Sequence, residues 1–128
     1  MVMRGKERPE IMTKNEIICY QFAERLKTAL IISSKMLQVL ETLRDSELEG
    51  AKKLIHAFFD ALSSEAILAL NATGMEEFGQ VEEKVNQVRW MIEVGDFQGA
   101  QETVGGAVTH ATTVCANTMS ALMEKKLI

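Results

Sequence analysis

Apolar residues recur along this chain at steps of three and four, the spacing that gathers them on one side of an α-helix. In the first such run Cys19, Phe22, Ala23, Leu26, Leu30, Ser33, Leu37 and Leu40 form a core stripe. Beside it Ile18, Ile32, Met36, Val39 and Leu43 make a second apolar line, wider than a helix needs to touch two neighbours. The helix is expected to start at Thr13, where Thr13-x-x-Glu16 has the form of a capping box that satisfies two otherwise unpaired backbone N–H groups.

Asp45, Ser46 and Glu49 repeat that grammar after a predicted turn at Arg44 to Ser46, opening a second helix that runs to about Ala72. Its predicted core line is Leu48, Ala51, Ile55, Phe58, Leu62, Ala66 and Ala69, with Leu54, Ala61 and Leu68 alongside. Two residues break the pattern: Glu65 falls inside the apolar arc and Ile67 outside it. Helix 1 running antiparallel to helix 2 would bring Arg25 or Lys27 level with Glu65, so a structural ion pair is the expectation there. Asn71, Thr73 and Gly74 stop this helix, and Thr73-x-x-Glu76 reads as a third capping box.

Helix 3, from Met75 to Val94, carries Phe78, Val81, Val85, Val88 and Ile92 on one line, and Trp90 lies about 160° from it, facing outward. Gly95 breaks this helix and Asp96 caps the fourth, whose inner line is Phe97, Ala100, Val104, Ala107, Val108, Ala111, Cys115, Thr118 and Leu122. Residues 103–123 contain no Asp, Glu, Lys or Arg. A helix wetted along one side normally carries charge there, so neighbours are expected to cover most of this one. Small residues such as Gly99, Ala100, Gly105 and Gly106 would let partner backbones come close.

Four helices joined by very short connections must fold back on their predecessors, so the fold class is all-α, a four-helix up-and-down antiparallel bundle. Residues 1–12, polar and crowded with charge, read as a flexible N-terminal leader, and residues 13–128 as a single helical-bundle domain. The turn VGDFQGAQ between helices 3 and 4 is similar to Gly-Asp-aromatic-x-x-Ala turns in helical hairpins of many families, and it singles out none.

Composition narrows the chemistry more than the fold. The net charge of −4 disfavours a general nucleic-acid binder, which needs clustered Lys and Arg for phosphate. Residues 13–44 hold five basic and three acidic side chains, and residues 45–95 four basic and ten acidic, so the surface is mildly dipolar. Residues 103–123 could cross a bilayer by length, yet their Thr, Gly, His and Asn content makes a poor membrane segment, and no membrane association is expected. The first twelve residues have no apolar core of signal-peptide length, so a cytoplasmic protein is expected. Cys19 and Cys115 are too few for a disulfide framework and too far apart for a metal knuckle; if helices 1 and 4 are neighbours, the two thiols could approach.

No catalytic residue and no metal or other cofactor is assigned. A di-iron bundle needs Glu-x-x-His pairs, and His56 and His110 are preceded at that offset by Lys53 and Ala107. Of the magnesium-type acidic pairs, Glu7-x-x-Glu10 lies in the leader and Glu93-x-x-Asp96 straddles the break at Gly95. A phosphotransfer bundle would use an exposed histidine, but LIHAFFDAL around His56 lacks the Lys-Gly that usually follows. His56, Glu65 and His110 are therefore kept as an alternative polar site for a small ligand or a phosphoryl group. The leading reading is a non-catalytic interaction or assembly module that binds itself, as a homodimer or higher oligomer, or binds another helical protein. Its interface candidates are Ile32, Met36, Val39, Leu43, Ile67 and Trp90, the apolar residues a lone bundle leaves unexplained.

Overall fold

The computed structural model describes the backbone of residues 9–126 and the side chains from Lys14 onward. Four helices follow in order: α1 Pro9–Leu40, α2 Asp45–Thr73, α3 Glu76–Glu93 and α4 Phe97–Glu124. They pack as an antiparallel up-and-down bundle, with no strand among the described residues. Contact is most extensive between α1 and α4, then α3 and α4, then α2 and α3, and least between α1 and α2. The helices thus stand in a ring in chain order, and the seam between α1 and α2 is the loosest.

α1 begins at Pro9, ahead of the expected Thr13 cap, so the helix takes in residues 9–12. Proline suits a first helical turn, where its missing N–H would have no partner anyway. The rest of the predicted leader, residues 1–8, lies outside the described residues. The first turn of the bundle falls at residues 41–44, earlier than expected, and α2 opens at Asp45 with no side-chain cap. Asp45 takes φ 53°, a left-handed conformation that Asp tolerates better than most residues. Thr73 closes α2 instead of capping α3: its hydroxyl donates to the Ala69 carbonyl at 2.7 Å and accepts from the Met75 N–H at 3.2 Å. Gly74 then supplies φ 73° and returns its N–H to the Leu70 carbonyl.

At the third turn the expectation holds. Gly95 takes φ 82°, and the Asp96 carboxylate accepts from the Gly99 N–H at 2.9 Å. Position 99 also has to be small, because a Cβ there would stand 2.3 Å from Asp96 Oδ2.

The predicted stripes of α1, α3 and α4 are the core. Every residue named for α1 is buried except Phe22, which is half-buried, and all five named for α3 are buried. α2 is turned by one step: Phe59 and Ser63 are buried with Ile55, Leu62, Ala66 and Ala69, Phe58 is half-buried, and Leu54, Ala61 and Leu68 are exposed. The buried hydroxyls are satisfied, Ser33 by the Leu30 carbonyl, Thr118 by the Val114 carbonyl and Ser63 by Glu82. Across the best-packed seam, Ser34 and Gln101 exchange two hydrogen bonds, and Lys125 reaches Glu16 at 2.5 Å.

The charge-free segment of α4, residues 103–123, is not enclosed. Gly105, Thr109, Thr113, Ala116, Asn117 and Ser120 form an exposed face. Thr109 and Thr113 turn their hydroxyls onto their own helix, to the Gly105 and Thr109 carbonyls, and Thr112 stands exposed beside them, so the face is polar without being ionic. Close approach uses Ala100, Ala107 and Ala111 on the buried side, whereas a Cβ at Gly105 would meet nothing within 4 Å. Gly105→Ala is therefore expected to stabilise the protein by about 1 kcal/mol through helix propensity alone, read as a higher urea midpoint at unchanged slope. A lower midpoint would mean that the site is occupied rather than open.

Candidate interaction face

The loose α1–α2 seam is where the unexplained apolar residues collect. From α1 into the turn that follows it, Phe22, Ala29, Met36 and Leu43 succeed one another at intervals of seven, as do Ile18, Arg25, Ile32 and Val39 within α1. On α2 the same interval links Ala51, Phe58 and Glu65, and links Leu54, Ala61 and Leu68. In each helix the two series are offset by three and four, which is the a/d grammar of helices that pack along a continuous seam. The inner members of this stripe, Phe22, Ala29, Met36, Ala51 and Phe58, are half-buried against the core, and its outer members face away from it. Ile32, Val39, Leu54 and Leu68 remain between 49% and 70% exposed.

Concavities alternate with these projecting side chains. One of about 210 Å³ lies among Met36, Val39, Leu43, Ala51 and Leu54. A shallower one of about 440 Å³ is bordered by Arg25, Thr28, Ala29, Ile32 and Phe58, and a third of about 220 Å³ continues past Ala61 and Leu62 to Glu65. Arg25 and Glu65, the two ionic residues in the heptad series, pair with each other across the seam. The guanidinium also stands 5.1 Å from the centre of the Phe22 ring. The carboxylate that interrupted the apolar arc thus meets the arginine expected opposite it, and the face carries no net charge.

Four interface candidates, Ile32, Met36, Val39 and Leu43, line this seam. The other two are elsewhere. Ile67 shares its side of α2 with His56, Asp60 and Ser63, all of which bond to α3 through Glu93, Arg89 and Glu82. Trp90 is 67% exposed on the outer side of α3. The sequence reading missed Leu54, Ala61 and Leu68 as surface residues. Their interval of seven was the available signal, hidden because they adjoin the core line.

The alternative polar residues do not converge. His56 Nε2 lies 2.6 Å from Glu93 Oε2 on the α2–α3 seam, and Glu65 is engaged with Arg25 on the α1–α2 seam. His110 lies one and two turns beyond Gly106 and Thr103, which touch Lys84 and Met91, and so belongs to the α3 side of α4. Among the described residues, no group of three or more His, Cys, Asp or Glu is placed to hold a metal ion.

The two thiols are free and buried. Cys115 lies beside Glu24, five positions further along α1 than Cys19, whose own polar neighbour is Thr73. Burial, with the Glu24 charge adding to it, pushes the Cys115 thiol up to about 11, and burial also raises Cys19. Both are therefore held as neutral thiols at ordinary pH, the opposite of a reactive cysteine. Glu24 itself is held below its usual range by its hydrogen bond from Lys27, at 3.0 Å.

By length and composition, α2 is the one helix among those described that could cross a membrane, and 33% of its most apolar window is buried. Its uncovered apolar residues include the outer series Leu54, Ala61 and Leu68, and Ile67 on the α3 side. Compared with known proteins, the chain matches no family, no curated protein and no solved structure.

Proposed function

We propose that this protein is a helical interaction module whose α1–α2 face receives helices, from a second copy of itself or from another protein, in the cytoplasm. The observation that carries this reading is the second a/d stripe on two adjacent helices, exposed and interleaved with apolar concavities. An isolated exposed leucine means nothing, but a heptad series of them is an unpaired helix-packing surface. A protein partner fits better than an anionic lipid surface: the face is neutral because Arg25 is spent on Glu65, and the chain has a net charge of −4.

Photo-crosslinking in cells tests this, with benzoylphenylalanine replacing Leu54 on the face or Glu83 on the outer side of α3. Adducts to a helical polypeptide are expected at position 54 and not at 83. No adduct at position 54 would overturn the proposal. So would flotation with phosphatidylserine-containing vesicles that is lost in Leu54→Glu, since it would assign the face to lipid.

A further inference from the structure

We infer that the occupant of the α1–α2 face is a second copy of this chain, joined about a twofold axis so that the two helix pairs pack face to face. The inference rests on reading this face as a contact surface, and it adds the partner and the symmetry. A twofold contact uses one patch twice, so the patch must carry both projections and the hollows that receive them. This one does. Val39 and Leu54 project from the rim of the hollow that they form with Met36 and Leu43, and Ile32 borders the next hollow beside Phe58.

Charge fits the same arrangement. Arg25 and Glu65 stand side by side within the face, so a twofold axis can set each opposite its counterpart's partner without placing like charges together. Size fits as well. The stripe from Ile18 to Val39 is about 32 Å long and two helices are roughly 20 Å across, which gives on the order of 600 Å² per copy. Stable interfaces bury roughly 600–1,000 Å² per partner, so the whole stripe is needed to reach the lower end of that range. The exposed face of α4 is the competing surface, but its Thr109 and Thr113 hydroxyls are committed to their own backbone.

Sedimentation equilibrium of the full chain separates the possibilities, using wild type, the double variant Val39→Glu/Leu54→Glu, and Thr112→Glu on the α4 face. Both face positions are exposed, so the double variant should keep the helical circular dichroism of the wild type. Wild type and Thr112→Glu are expected to be dimers at micromolar concentration, and the double variant a folded monomer with affinity weakened at least ~100-fold, as when charge is buried at an interface centre. Monomeric wild type up to ~100 μM would overturn the inference, and so would a dimer that survives the double substitution or is dissociated by Thr112→Glu. These failures are distinguishable from failure of the broader reading: crosslinks at position 54 to a different polypeptide would leave the interaction face standing with another occupant.

Discussion

Phe59→Ala is expected to cost about 3–5 kcal/mol of folding stability, the usual range for truncating a fully buried phenylalanine. Its ring is among the largest completely enclosed side chains in the bundle, set in the same core as Leu26, Leu30, Phe78 and Val85. Removing it loses the transfer free energy of the ring and leaves a void that neighbouring helices can close only in part. A single domain of this size typically has 5–15 kcal/mol in hand, so the variant should be marginal. The neighbouring Phe58→Ala supplies the contrast. Phe58 is half-buried along the α1–α2 seam, and its truncation should cost roughly 1–2 kcal/mol in the monomer. Urea denaturation of both variants, in the Val39→Glu/Leu54→Glu background to remove any linkage to association, measures the difference. Equal costs, or the reverse order, would mean that α2 is rotated from the position described.

That contrast also marks where the sequence was legible. Phe78, Val81, Val85, Val88 and Ile92 form one stripe with polar residues on both sides, so period and burial coincide and the core line of α3 is read correctly. α2 carries two apolar stripes, the core line and the outer series Leu54, Ala61 and Leu68. Summed over the helix, they shift the apparent centre of the apolar arc toward Phe58, and Phe59 drops out. On α1 the outer line was recognised as surplus because the core line is complete without it.

Capping was less legible because a Thr-x-x-Glu string is a local option that the chain can override. Thr13 is inside a helix that Pro9 starts, and Thr73 spends its hydroxyl closing α2. Asp96 keeps its role because Gly95 and Gly99 leave it the required backbone and space. The misreading of α4 has a similar origin. Absence of charge was equated with burial, whereas threonines bonded to their own helix allow a neutral face to meet water. The histidines and Glu65 could be ranked by phase on their own helices, but which seam each one joins depends on the ring order of the bundle.

Stability should fall between about pH 9 and 11, with Cys115 responsible for on the order of 2–3 kcal/mol of the loss. A thiol near 9 in the unfolded chain is raised to about 11 in the fold by burial and by the Glu24 carboxylate, with Lys27 opposing weakly from the same side. Below pH 9 both states hold the proton and the fold keeps its full advantage. Between 9 and 11 the unfolded chain has released a proton that the folded chain retains, so each added unit of pH favours unfolding. Cys19, Tyr20 and Lys27 are also raised on folding, Cys19 and Tyr20 chiefly by desolvation and Lys27 by its hydrogen bond to Glu24, so they act in the same direction. Glu24, depressed by Lys27, acts at the other end and loses its contribution as pH falls through the carboxylate range. Urea midpoints measured at fixed pH for wild type and Cys115→Ala distinguish this from general alkaline unfolding. The variant should start lower by a pH-independent amount, about 1 kcal/mol for the smaller side chain, and should then decline less steeply above pH 9. Parallel curves for the two proteins would show that the Cys115 thiol titrates alike in both states, and the α1–α4 seam around Glu24 would have to be more open to water than its geometry implies.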